Sequence, residues 1–312
     1  MAFPANDNTG GMVGRHGPPA WLRTWRLPLL LVPMLVVMAV MQELTVVMDG
    51  LGVLDLVTGV LASAATLFVY VRLSKYIENR PAVAELPRER ARSGLLWGSA
   101  IGAAAFLTTI SIIWIFGGLH VAGPSEYWKF LATIGIMACA AVTEEVVFRG
   151  VVLRILEERF GTWPALAVSA LLFGAVHAAG SSQVSGGAEL WGAFAITLQA
   201  GILLGAAYVA TGALWLPIGI HFAWNLVEAG IGTAVSGKSS EFGALAQSTL
   251  LGPSTLTGGA FGPEAGVAAI STCLVAGGLF LWFASRSGRI VHRRALASEP
   301  MPADVERPGI RL

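Results

Sequence analysis

Eight apolar runs divide this chain, at residues 27–42, 51–73, 94–118, 127–155, 163–179, 191–211, 212–229 and 266–286. Hydrocarbon offers no water to an open backbone group, so a crossing segment must close its own hydrogen bonds, typically as a helix of about 20 residues. The fifth and seventh runs are short for this and the fourth is long. Hydrophobic residues make up 55% of the chain and charged residues 12%, against about 25% charged in a soluble domain. The expected fold is all-α, a polytopic membrane protein of about eight transmembrane helices.

The net charge of +1 gives no reason to expect nucleic acid or an acidic partner. The placement of the charge says more. Arg15, Arg23 and Arg26 precede the first run; Arg72, Lys75, Arg80, Arg88, Arg90 and Arg92 follow the second. Arg154 and Arg159 follow the fourth, and Arg286, Arg289, Arg293, Arg294, Arg307 and Arg311 follow the eighth. These alternate ends hold all but Lys129, Lys238 and Arg149, which puts both termini in the cytoplasm by the positive-inside rule. Residues 1–26 and 287–312 read as cytoplasmic tails, disordered at 1–20 and 295–312, around a membrane domain at 27–286. The loop 230–265 falls outside. The first run lacks a small-residue cleavage site and reads as a retained anchor. Cys139 and Cys273 lie in apolar runs and read as small core residues, with no disulfide framework.

A charge inside a bilayer costs at least about 2.5 kcal/mol on insertion scales, so each buried one needs a reason. The candidates are Asp55, Glu144, Glu145, Arg149, His177, Gln199, His221 and Asn225. On a helix Glu145 and Arg149 stand at i and i+4 and can pair, and so do His221 and Asn225. Rise along the helices puts Glu144, His221 and His177 at roughly 15, 13 and 21 Å above one membrane boundary. A carboxylate, two imidazoles and an amide at similar depth suit hydrolysis of an amide by activated water. Glu would be the general base, imidazole would orient the water or bind a metal, and Asn would donate to an oxyanion. No GxSxG or HExxH competes with this reading.

The stretches "EEVVFR", "FGAVH" and "HFAWN" follow one another in the patterns EExxxR, FxxxH and HxxxN. In this the chain resembles the CAAX-protease and bacteriocin-processing (CPBP, or Abi) family of intramembrane endopeptidases, type II CAAX prenyl protease-like, over residues 127–229. The resemblance implies a helical bundle around a membrane-embedded catalytic cavity. It implies that Glu144 activates water with help from His177, and that His221 and Asn225 stabilise the oxyanion or complete a metal site. Glu145 and Arg149 would be structural and electrostatic support. A zinc ion on Glu144, His177 and His221 and a metal-free glutamate mechanism are both compatible with it. The expected partners are the lipid bilayer and a membrane protein or lipidated peptide as substrate, and the default location is a bacterial inner membrane.

Plainer readings stand beside these. The Glu145–Arg149 pair could serve packing alone, and Asn225 could bond helices together. Asp55 suits a boundary or packing role, Gln199 interhelical bonding, and Phe148 and Phe173 packing around the site. Trp21, Trp25, Trp163 and Trp191 suit an interfacial belt, and the arginine-rich 72–92 loop a topology signal. As a whole, the chain could instead be a non-catalytic scaffold or immunity protein. An ion-coupled transporter is a weaker alternative, because no paired broken helices appear in two halves.

Overall fold

The computed structural model describes residues 20–47, 53–125, 127–180, 186–238 and 243–292. The segments expected to be disordered, 1–20 and 295–312, lie outside these residues except for Ala20. The chain is an all-α membrane protein. It begins with α1 (Ala20–Val47), α2 (Val53–Glu78) and α3 (Ala91–Ile115). Then come β1 (Leu119–Pro124), α4 (Phe130–Glu145), a π-helical segment at Val146–Leu153 and α5 (Arg154–Phe160). After α6 (Thr162–Gly180) and α7 (Gly187–Ile196), a second π-helical turn at Thr197–Gly201 leads into α8 (Ile202–Thr211). The chain ends with α9 (Trp215–Ile231), β2 (Ala246–Leu250), the short α10 (Ser254–Thr257) and α11 (Val267–Arg286).

Seven helical stretches among the described residues are long and apolar enough to cross a membrane. The expected run not among them is the seventh, α9, whose 17 residues span roughly 25 Å, slightly under a typical hydrocarbon core. It is buried along most of its length, so it behaves as an inner helix of the bundle. The outer helices turn apolar stripes outward: Val32, Val36 and Val40 recur every four residues on α1 and are all more than half exposed. In a bilayer that face meets lipid.

Two close helix contacts set the positions of the inner helices. Gly94, Gly98 and Gly102 recur every four residues on α3 and face α9. A Cβ at Gly98 would stand 2.4 Å from the Leu216 carbonyl oxygen, and one at Gly102 would stand 2.2 Å from that of Ile220. On α2, a Cβ at Gly59 would stand 2.1 Å from the Gly135 carbonyl oxygen of α4. Apolar lipid gives helices no hydrophobic reason to associate, so backbone approach at small residues supplies the packing instead.

At the basic end of the bundle the acids and bases pair. Arg154 bonds Glu78 at 2.8 and 3.0 Å and Glu158 at 3.2 Å. Arg80 reaches Glu78 at 3.0 Å and also pairs with Glu85, and Arg26 pairs with Glu158. The 72–92 segment is therefore a structured ion-pair cluster in addition to a charge signal. At the other end β1 and β2 form an antiparallel pair, with a bulge between Val121 and Gly123. The sequence reading contains no strand, because these short mixed segments, LHVAGP and AQSTL, carry no sustained alternation.

The two π-helical segments have visible partners. Widening the helix frees backbone carbonyls, and a freed carbonyl in a dry interior needs a donor. The Gly150 oxygen is bonded by Arg154 Nε at 2.8 Å and lies 2.8 Å from the Tyr70 hydroxyl. The Ala200 and Gly201 oxygens accept from Arg149 at 3.1 and 3.3 Å.

Candidate active site

The end of α4 delivers Glu144 and Glu145, α6 delivers His177, and α9 delivers His221 and Asn225. The three expected reactive side chains meet. Glu144 Oε2 lies 3.6 Å from His177 Nε2 and 3.7 Å from His221 Nε2.

Hydrogen bonds on the far side of each ring fix which nitrogen points at the carboxylate. His177 Nδ1 lies 2.9 Å from the Phe173 carbonyl oxygen, which can only accept, so Nδ1 carries the proton. His221 Nδ1 lies 2.9 Å from Glu145 Oε1, which makes it the donor there too. In its neutral form each imidazole so bonded turns a lone pair on Nε2 toward Glu144. Phe173 packs against the same groups, with its ring centroid 4.3 Å from that of His177, 5.0 Å from that of Phe148 and 4.5 Å from the Arg149 guanidinium carbon.

Glu145 and Arg149 pair at 2.8 Å, both fully buried. The spacing of four residues is as the sequence reading has it, but Arg149 stands in a π-helical segment instead of a continued α-helix. The two support different groups. Glu145 holds His221, while Arg149 clasps the π turn at Ala200 and Gly201. Glu144 is held by Gln42 of α1, whose Nε2 donates to Glu144 Oε1 at 2.9 Å and reaches Thr143 Oγ1 at 3.3 Å. The sequence reading missed Gln42. Its signal was there, a lone amide at the end of the first apolar run, but nothing local points it at residue 144.

Asn225 lies one turn beyond His221 and is buried. With His177, His221 and Gln199 it lines a small cavity that continues to Ser236 and Glu264. The loop after α9 thus contributes to the wall of the site. Glu264 is itself held by Trp224 Nε1 at 3.2 Å and by Ser236 at 2.8 Å. Gln199 accepts from Cys273 Sγ at 3.1 Å, which ties the π turn to α11 and agrees with interhelical bonding. Trp191 is partly exposed, as a belt residue would be, but its Nε1 also donates to the Ala265 carbonyl at 2.8 Å. Asp55 is buried at the start of α2, and neither carboxylate oxygen has a hydrogen-bond partner among the described residues.

Two imidazole lone pairs and a carboxylate oxygen are a donor set that suits zinc. As arranged, however, no group of three or more His, Cys, Asp or Glu side chains among the described residues forms a metal cluster. The electrostatics of the trio still demand something. Three acceptor atoms face one another, and Glu144 Oε2 is buried with no hydrogen-bond partner among the described residues. Acceptors so placed repel unless a shared proton, a water molecule or a cation lies among them.

Residues 126–227 match the family model of type II CAAX prenyl endopeptidase Rce1-like proteins. The matched segment holds all three motifs and every expected site residue, and it carries the family resemblance from the motifs to the whole core. The family is one of membrane-embedded proteases, and the seven apolar helices make this an integral membrane protein. No curated protein and no solved structure matches the chain.

Proposed function

We propose that the protein hydrolyses a peptide bond of a membrane-associated protein or peptide, with Glu144 as the base that activates water. The observation carrying this is the meeting of Glu144 Oε2 with two imidazole Nε2 atoms at 3.6 and 3.7 Å. A water molecule has two hydrogens to donate and suits such a set of acceptors. Donating to Glu144 and one imidazole would leave its own lone pair directed at a carbonyl carbon. In the attack, the water oxygen bonds to the carbonyl carbon and one proton passes to Glu144. The carbonyl becomes an oxyanion, and the Asn225 amide on the same cavity wall is a neutral donor for it. The C–N bond then breaks, and the proton held by Glu144 goes to the departing amine.

The supporting residues have separate duties in this scheme. His177 holds the water, with its tautomer set by Phe173. His221 flanks Glu144 on the other side, oriented by Glu145, whose charge Arg149 balances. A divalent ion on Glu144, His177 and His221 would supply Lewis-acid activation of the same water. Metal content tests this alternative. Stoichiometric zinc that is lost in His177→Ala and His221→Ala would put an ion at the trio. Full activity of zinc-free protein would leave the activation to Glu144.

In this reading the membrane is a bacterial inner membrane and both termini are cytoplasmic, an orientation supported by the alternation of basic residues along the sequence. The bilayer itself and a membrane or lipidated peptide are the partners.

The test compares new protein termini in membranes carrying the wild type or Glu144→Gln at equal protein levels. General-base removal slows such reactions about 10²–10⁴-fold, so the termini made by this enzyme should disappear. Identical termini, together with rescue of a deletion phenotype by Glu144→Gln, would replace the protease with a scaffold.

A further inference from the structure

Gln199 is more than an interhelical link. It is 1% exposed and lines the cavity shared by His177, His221 and Asn225. Its Oε1 is occupied by the Cys273 thiol at 3.1 Å, while its Nε2 has no hydrogen-bond partner among the described residues. An amide N–H that is buried and left without a partner is costly.

The backbone around Gln199 is built to hold it there. Residues Thr197–Gly201 form a π-helical turn, a distortion that recurs at functional sites and turns a side chain away from its α-helical direction. The carbonyls next to Gln199, at Ala200 and Gly201, are bonded by Arg149, which also pairs with Glu145 and through it reaches His221. One chain of contacts therefore runs from the reactive imidazole to the turn that carries this amide. The surrounding wall is apolar, formed by Ile196, Leu203, Leu204 and Ile220. A peptide in such a wall brings carbonyl oxygens that have lost water and need donors.

We propose that Gln199 is a substrate-contacting residue, whose Nε2 donates a hydrogen bond to a backbone carbonyl of the peptide flanking the scissile bond. The proposal rests on the protease reading above. Its ligand class is an extended peptide segment with an apolar side chain against Leu203 and Ile220, and the contact sets how the peptide is held and not how water is activated.

The experiment uses the full chain in liposomes and a synthetic peptide spanning one cleavage site lost in Glu144→Gln membranes. Each peptide bond flanking that site is replaced in turn by a reduced amide, which removes one carbonyl. In the wild type, one replacement should lower kcat/KM about five- to tenfold, the worth of one neutral hydrogen bond. Gln199→Met should cleave the parent peptide five- to tenfold less well, chiefly through a higher KM, and should be indifferent to that same replacement. A purely structural role for Gln199 would leave the pattern of replacements unchanged. If Gln199→Met does not fold, Gln199→Leu removes the donor with a smaller side chain, and the same scan is read on it. Parent cleavage within twofold of wild type in either folded variant, or an identical scan, overturns the proposal and leaves the protease reading standing. Termini unchanged by Glu144→Gln overturn both.

Discussion

Gln42 and Glu144 meet side chain to side chain, Nε2 donating to Oε1 across 2.9 Å, although 102 residues separate them. The bond fixes one oxygen of the carboxylate and leaves the other, Oε2, facing the two imidazoles. The first helix, which contributes no motif, thus sets the angle of the proposed base. Replacing Gln42 with Leu keeps its bulk and removes the donor. Cleavage should fall about 10–100-fold, as for loss of other groups that orient a reacting ligand, with little change in unfolding temperature. Activity within twofold of wild type would remove Gln42 from the positioning role.

Arg149 and Glu145 are a fully buried pair, and breaking such a pair from one side leaves an uncompensated charge in a dry interior. Arg149→Met should destabilise the protein by about 3–5 kcal/mol, read as unfolding in detergent. Glu145→Gln combined with Arg149→Met should recover part of that loss, because neither charge then remains. Additive losses in the double variant would mean that the two do not act as a pair.

The backbone contact of α3 with α9 sets where His221 stands. At Gly102 a Cβ would come within 2.2 Å of the Ile220 carbonyl oxygen, next to His221 in the chain. Gly102→Val should therefore cost about 1–3 kcal/mol of stability and reduce cleavage, though residue 102 does not line the cavity. Gly278→Val is the control, since nothing lies within 4 Å of a Cβ there. Equal behaviour of the two variants would show that α9 does not depend on this contact.

Glu85 gives the basic end a defined acid response. Burial pushes its carboxyl up, but the hydrogen bond from Arg80 and the nearby charge of Arg154 outweigh this and hold it below the ordinary carboxylate range. A group lowered in the folded state contributes stability that is full above its unfolded pKa of about 4.3 and is lost as pH falls through the folded value beneath it. Unfolding midpoints measured from pH 7 down to pH 3 should drop more for wild type than for Glu85→Gln, with the difference confined to the acid side of about 4.3. Parallel curves would mean that the Arg80 and Arg154 contacts contribute no pH-dependent stability.

Much of the protein was legible because its signals are local. Apolar run length set the helices, and spacing of four residues set the Glu145–Arg149 pair and put Asn225 a turn from His221. Depth along the helices anticipated that Glu144, His177 and His221 would share a level, and they do meet. The glycine spacing on α3 was equally readable and was overlooked.

What the tertiary structure alone decided is partnership across the chain. Nothing in a run of residues says that Glu145 orients His221, that Gln42 holds Glu144, or that Arg149 braces the turn carrying Gln199. The physical reason is one of range. Periodicity records which residues share a face of one helix, because backbone geometry repeats within it. A hydrogen bond depends on tenths of an ångström and on the direction of a lone pair, and between helices these are fixed only when every small-residue contact has set its neighbours in place. So the sequence by itself determined the membrane helices and the chemistry of the groups they carry. The packed bundle decided which of those groups face one another.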